Sequence, residues 1–328
     1  MRIFVAGATG AIGQRLVPRL IARGHEVVGM TRSTTKAQRL AGQGVEPVVA
    51  DALDREAVMA ALQRSAREVV VHQLTALSTL SNIRRFAKEF EATNRLRTHG
   101  TDHLLDAATA AGARRFVAQS YAGWPYARDG GPVKTEDDPL DADPPKAFRA
   151  AFGAIRHLER RVTQAREIEG LVLRYGVFYG PGTGIAPGGA QLEEVRRRRF
   201  PVVGAGGGVW SFIHIDDAAE ATVAAIEGGA PGVYNIVDDD PAPVSEWLPT
   251  LAAEAGAPPP RRAPAWLARV LAGEHGVVIM TEARGASNAK AKRDLGWRPK
   301  HPSWRQGFAD MLRSPHPEDE NSAVSPST

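Results

Sequence analysis

Residues 3–6 form an unbroken apolar run, after which Ile12, Leu16, Leu20 and Ile21 fall on one helical stripe and residues 25–30 return to a β-rich run. The period changes from strand to helix and back, which predicts a βαβ unit. The alternation continues. Residues 45–50 read as a third strand, Asp51 through Leu62 as a turn and helix, and 68–71 as a buried fourth strand. A long helical stretch over 82–111 precedes a strand at 115–119. Residues 124–145, rich in Pro, Gly and Asp, have no usable period and read as a loop of the length that is either functional or mobile. Helical spacing resumes over 148–165 and a strand follows at 170–174; two further helical patterns, 218–227 and 245–255, interrupt a Pro/Gly-punctuated remainder. Such alternation predicts an α/β protein with a doubly wound parallel sheet.

The first strand runs directly into Gly7-Ala8-Thr9-Gly10-Ala11-Ile12-Gly13. A strand that turns sharply into a helix aims free backbone N–H groups and the positive end of the helix dipole at one point. Glycines let a pyrophosphate approach that point, so Gly7, Thr9, Gly10, Ala11, Ile12 and Gly13 are candidate cofactor-binding residues. The sheet is then expected to be a dinucleotide-binding Rossmann domain over 1–179. A smaller α+β substrate-binding subdomain is expected over 180–313, interleaved with the first, and a disordered Pro-, Ser- and acid-rich tail over 314–328. The second strand ends in Met30-Thr31-Arg32-Ser33, with no acid for a ribose diol. Arg32 and Ser33 suit the 2′-phosphate of NADP(H) instead, although a solvated Arg in an Arg-rich chain is the plainer reading.

Composition narrows the classes. With 328 residues, 43% hydrophobic and 24% charged, the chain can bury one large core or two coupled ones. A net charge of +4 is too small and dispersed to indicate nucleic acid, and the basic run at 196–199 reads as a solvated helix face. Cysteine is absent, which excludes disulfides, thiolate chemistry and cysteine-bound metal; no metal is expected. A first strand beginning at residue 2 leaves no room for a signal peptide. No apolar stretch reaches the ~18 residues of a membrane span, so a cytoplasmic protein without a membrane partner is expected.

Further segments carry a resemblance. Asp51-Ala52-Leu53-Asp54, Val71-His72-Gln73-Leu74-Thr75-Ala76, residues 100–108, 173–182, 212–219 and 288–299 follow in the order of landmarks of the extended short-chain dehydrogenases/reductases of the NAD-dependent epimerase/dehydratase type, which the chain resembles over nearly its whole length. The resemblance implies cofactor contacts from Asp51, Ala52, Leu53, Leu74, Thr75, Ala76 and Tyr175, a small-molecule substrate and a possible homodimer. It also exposes a gap. Family members that move hydride carry Tyr-x-x-x-Lys on a helix, one turn apart, so that the ammonium lowers the phenol pKa. Here that helix reads Ala151-Phe152-Gly153-Ala154-Ile155-Arg156-His157, and in either register the phenol is missing.

Candidate replacements lie at the end of the fifth strand, where the family supplies a Ser or Thr hydroxyl and this chain offers Ser120 or Tyr121. Tyr121 is positioned for general acid work, with Ser120 secondary and Arg156 a possible positive charge beside a ribose or phosphate. A Tyr packed under the loop and a surface Arg are the structural alternatives. Trp124, Phe152, His157 and Trp210 are candidate substrate contacts. His72 reads as structural, and His214 with Asp216 and Asp217 lacks a complete metal-ligand set. The expected function is an NADP-dependent oxidoreductase acting on a small carbonyl or alcohol. A non-redox epimerase, dehydratase or lyase on the same scaffold and a silent NADP-sensing protein are the alternatives.

Overall fold

The computed structural model describes residues 1–64, 68–77 and 85–313. The first half runs β1 (Arg2–Ala6), α1 (Ala11–Ala22), β2 (Glu26–Thr31), α2 (Thr34–Ala41), β3 (Glu46–Val49), α3 (Arg55–Gln63), β4 (Val69–His72), α4 (Phe86–Arg95), a π-helical turn (Leu96–Gly100), α5 (Thr101–Ala110) and β5 (Arg115–Tyr121). It continues with β6 (Val133–Lys134), α6 (Arg149–Thr163), β7 (Glu169–Tyr175), β8 (Val177–Tyr179), α7 (Ala190–Arg196), β9 (Val202–Val203), β10 (Val209–Trp210), β11 (Phe212–His214) and α8 (Ile215–Glu227). The end comprises β12 (Gly232–Ile236), β13 (Ala242–Pro243), α9 (Val244–Glu254), β14 (Arg262–Ala263), α10 (Ala265–Thr281), β15 (Gly285–Ala286), α11 (Ala289–Asp294) and α12 (Trp304–Arg313).

One seven-stranded sheet carries the fold, in the order β12-β7-β5-β4-β1-β2-β3, and every pair in it is parallel. Strands buried on both faces must be apolar throughout, and Ile3 to Ala6 and Val69 to Val71 are fully buried. One face packs under α1 and α8 through Ile12, Leu16, Leu20, Ala218 and Ile226; the other packs under α3, α5 and α6 through Val58, Leu104, Leu158 and Val162. Ser33 caps α2 by accepting from the Lys36 N–H, and Asp54 caps α3 by accepting from the Ala57 N–H. The strand order reverses between β1 and β4, where β1 feeds the glycine loop, so the crevice at the carboxyl ends of these strands is the ligand position such sheets offer.

The long helical stretch expected over 82–111 runs without a break over 86–110, with a π turn at Leu96–Gly100 between α4 and α5; residues 82–84 lie outside the described ones, as does the tail at 314–328. Within the stretch expected to be interleaved, residues 215–236 rejoin the sheet: α8 covers it and β12 extends it. The loop over 124–145 is tied down, with Tyr126 bridged to Leu140 and β6 paired with β15. The remaining C-terminal elements enclose their own core around Trp247, Trp304, Phe212 and Phe308. Among the described residues no helix is long and apolar enough to cross a membrane.

Candidate active site

The glycine loop is shaped by two contacts inside the protein and leaves one surface open. Gly7 has φ +94°, and a Cβ there would lie 2.8 Å from the Gln73 carbonyl oxygen. A Cβ on Gly13 would lie 2.3 Å from the Gly7 carbonyl oxygen, whereas on Gly10 it would meet only that oxygen, at 3.3 Å. Gly10 is the N-cap of α1; no side chain caps the helix and no acid lies in its first turn. Its first N–H groups are therefore available to an anion, beside exposed Gly10 and Ala11 and half-buried Thr9, over buried Ile12 and Gly13. The cradle fits a dinucleotide pyrophosphate.

At the far end of the crevice Arg32 is exposed after β2 and has no ion-pair partner among the described residues. Ser33, besides capping α2, donates its N–H to the Thr31 hydroxyl at 3.3 Å. Asp51 closes a turn by accepting from the Leu53 N–H at 3.0 Å, and the Ala52 carbonyl meets His103 Nδ1 at 3.0 Å. Leu74, Thr75 and Ala76 leave β4 along the crevice, with the Ala76 N–H donating to Thr93 Oγ1 at 3.0 Å. Tyr175 is buried at the end of β7, its hydroxyl accepting from Gln73 Nε2 at 3.1 Å and lying 2.7 Å from Thr222 Oγ1; burial pushes it up to about 12. Its ring lies wholly inside the core under α1 and α8 and its hydroxyl is engaged, so the cofactor contact expected of Tyr175 is not presented on the crevice surface.

The end of β5 separates the two hydroxyl candidates. Side chains alternate along a strand, so Ser120 and Tyr121 face opposite sides. The Ser120 hydroxyl donates to Glu159 Oε1 at 2.7 Å, and Glu159 is gripped by Arg174 at 2.8 Å and 2.6 Å. Arg174 in turn donates to the Tyr126 hydroxyl. Tyr121 is half-buried, its ring 5.2 Å from Trp124. Burial raises its phenol above the ordinary value, and the charge of Arg97 partly opposes this, so Tyr121 stays a neutral donor at physiological pH. Trp124 stacks on Phe148 at 4.8 Å and on Phe152 at 5.4 Å, with Phe86 and Phe90 behind. This aromatic wall stands beside Tyr121.

Other candidates are placed elsewhere. Arg156 donates to the Asp141 carbonyl and braces the 124–145 loop. His157 meets Asp102 at 3.0 Å, which Arg161 also holds at 2.8 Å; it belongs to an ion network between α5 and α6 and is not gathered with Tyr121. Trp210 donates its indole N–H to the Ile279 carbonyl and packs 4.7 Å from Trp247 in the C-terminal core. His214 lies with Asp217 and His301, a geometry that resembles a ligand set. Its Nδ1 accepts from the Asp216 N–H, however, and both Asp217 oxygens accept from backbone N–H groups of 300 and 301, which gives the cluster a joining role. Sequence reading missed Glu159 and Arg97. A charged residue on the buried stripe of an amphipathic helix was the available signal for Glu159.

A family model described as the NAD dependent epimerase/dehydratase family matches residues 3–237. The chain is 50% identical over 309 residues to a Streptomyces 3-diazoavenalumate denitrifying reductase, covering 94% of this chain and 99% of the relative. It is 29% identical over 271 residues to a 2-alkyl-3-oxoalkanoate reductase of Stenotrophomonas maltophilia, covering 79% and 77%. Among solved structures, a Thermotoga maritima UDP-glucose 4-epimerase with UDP-glucose superposes with TM-score 0.74 at 22% identity, covering 99% of this chain and all of that one. The human epimerase family protein SDR39U1 with NADPH gives 0.73 at 21%, covering 96% and 100%. The reductase-named relatives support an oxidoreductase, and the open α1 N-terminus agrees with a nicotinamide dinucleotide cofactor. The chain belongs to the NAD-dependent epimerase/dehydratase family of extended short-chain dehydrogenases/reductases.

Proposed function

We propose that this protein is an NADPH-dependent reductase that removes a diazo group from an aromatic substrate as dinitrogen. The observation that carries the reading is the α6 face itself: Ala151, Phe152, Ile155 and Arg156 occupy the positions where carbonyl-reducing relatives need Tyr and Lys. Hydride addition to a carbonyl creates an alkoxide that must be protonated, which is the work of that pair. An arenediazonium is already a cationic electrophile. The net reaction, arenediazonium plus NADPH giving arene, dinitrogen and NADP⁺, balances without any added proton, so a site without Tyr-x-x-x-Lys suffices. The 50% identity to a denitrifying reductase of a diazo compound supports this choice.

The chain's own residues then bind and orient. The α1 N-terminus holds the pyrophosphate, Arg32 the 2′-phosphate, and half-buried Trp124, backed by the buried Phe148 and Phe152, offers apolar surface for an aromatic ring. Tyr121 serves as a neutral hydrogen-bond donor at the ring's polar edge. The test follows NADPH absorbance with an ortho-hydroxyarenediazonium salt and measures dinitrogen by mass spectrometry. Equimolar NADPH loss and dinitrogen release is the expected result, and no enzyme-dependent dinitrogen overturns it. Reduction of a 3-oxoalkanoate instead would favour the second reading, a carbonyl reductase with Tyr121 as general acid, which the 29% identity to the Stenotrophomonas enzyme supports.

A further inference from the structure

Arg97 is 3% exposed, and its Nε and Nη1 meet no hydrogen-bond partner among the described residues. The nearby carboxylate of Glu159 acts on it through space, yet both Glu159 oxygens are already committed, Oε1 to Ser120 and Arg174 and Oε2 to Arg174. A buried guanidinium with unsatisfied nitrogens is costly, and proteins retain such a group where a ligand completes it. Burial lowers its pKa only to about 10, so it remains charged.

Its place in the fold is specific. Arg97 sits in the π-helical turn, a distortion that adds a residue to the turn and re-aims side chains. The adjacent Leu96 carbonyl lies 3.3 Å from Nε2 of His72, the last residue of β4, and β4 pairs with β5. One turn earlier Thr93 holds the Ala76 N–H, and the Asn94 Oδ1 is also buried without a partner among the described residues. The charge reaches the Tyr121 phenol at the end of β5. The cation is therefore at the substrate end of the crevice beside the aromatic wall, while the pyrophosphate has its own cradle on α1.

We infer that Arg97 recognises an oxyanion, carboxylate or phenolate, carried by the aromatic substrate. This rests on the reading of the crevice as an arene-reducing site, and it names the feature that selects among arenes. The nicotinamide end of the cofactor carries no anion, so the charge complement has to come from the substrate. A planar guanidinium accepts either oxyanion in the plane of a stacked ring.

Calorimetric titration of the NADPH-loaded protein tests this, using 4-hydroxycinnamate, 4-methoxycinnamate and methyl 4-hydroxycinnamate as probes. Arg97→Met should weaken 4-hydroxycinnamate by about tenfold or more, the scale of one lost charge-assisted contact, with NADPH affinity within about twofold of the parent. Arg97→Lys should recover part of the loss. If the carboxylate is the partner, the methyl ester is indifferent to Arg97→Met and the methoxy acid is not; the reverse pattern identifies the phenolate. Equal weakening of all three probes, loss of NADPH affinity, or no probe bound by the parent overturns the inference. Thermal melting confirms that each variant is folded. Because the readout is binding, it stands apart from the reductase reading, which fails on absent dinitrogen release.

Discussion

The Ser120 hydroxyl donates to the Glu159 carboxylate at 2.7 Å, inside a network that also holds Arg174 and Tyr126. Glu159 thereby acquires its partners before any ligand arrives, and Ser120 has a structural task. Ser120→Ala should lower stability by about 1–3 kcal/mol, the range for a hydrogen bond to a buried charge, and change kcat only a few-fold. A melting temperature equal to the parent's, or a kcat loss of the size of a general acid's, would place Ser120 in the chemistry instead.

Tyr121→Phe separates the two reductase readings. A diazo substrate gives no alkoxide to protonate, so the expected loss in kcat is under about tenfold, against the roughly 10²–10⁴-fold typical of a missing general acid. The variant should keep NADPH affinity, because the phenol faces the aromatic wall.

Arg32 is exposed, has no ion-pair partner among the described residues, and is proposed to receive a 2′-phosphate. Fluorescence titration should show NADPH bound about tenfold or more tightly than NADH, from one charge-assisted contact. Arg32→Asp should erase or reverse the preference. Equal affinities in the parent would refute the NADP assignment.

Two glycines of the loop should fail differently. Gly13→Val drives carbon against the Gly7 carbonyl, 2.3 Å from the Cβ position, and should prevent folding. Gly10→Val meets only one oxygen at 3.3 Å and should fold, yet its side chain stands where the pyrophosphate approaches and should abolish binding of both cofactors. Circular dichroism with cofactor titration distinguishes the two outcomes.

Acid should weaken the fold through His72. Its Nδ1 accepts from the Leu74 N–H while Nε2 faces the Leu96 carbonyl, a pattern that suits the neutral ring, and burial lowers its pKa to about 4. The unfolded chain takes up that proton near 6.5, so stability is fully present above about pH 6.5 and falls as pH drops towards about 4. The loss amounts to about 3 kcal/mol for a shift of this size. His72→Gln should flatten the dependence of urea unfolding over that interval; an unchanged slope would exclude His72 as its source.

Much of this architecture follows from the chain's own pattern. Unbroken valine and isoleucine runs permit only buried parallel strands, and the sharp passage from Ala6 into Gly7 to Gly13 requires a strand-to-helix turn whose N–H groups stay free. The missing phenol on α6 was equally visible, because an absence at fixed helical spacing needs no tertiary knowledge. What sequence spacing does not encode is which distant side chains share a buried volume. Ser120 was a candidate hydroxyl until Glu159, 39 residues later, and Arg174 claimed it. His157 was drawn away by Asp102 of α5, and the return of α8 and β12 to the sheet was set by packing against α1 and β7. Only that packing left Arg97 enclosed with nitrogens to spare, because burial and hydrogen-bond satisfaction belong to the assembled fold and not to any single segment.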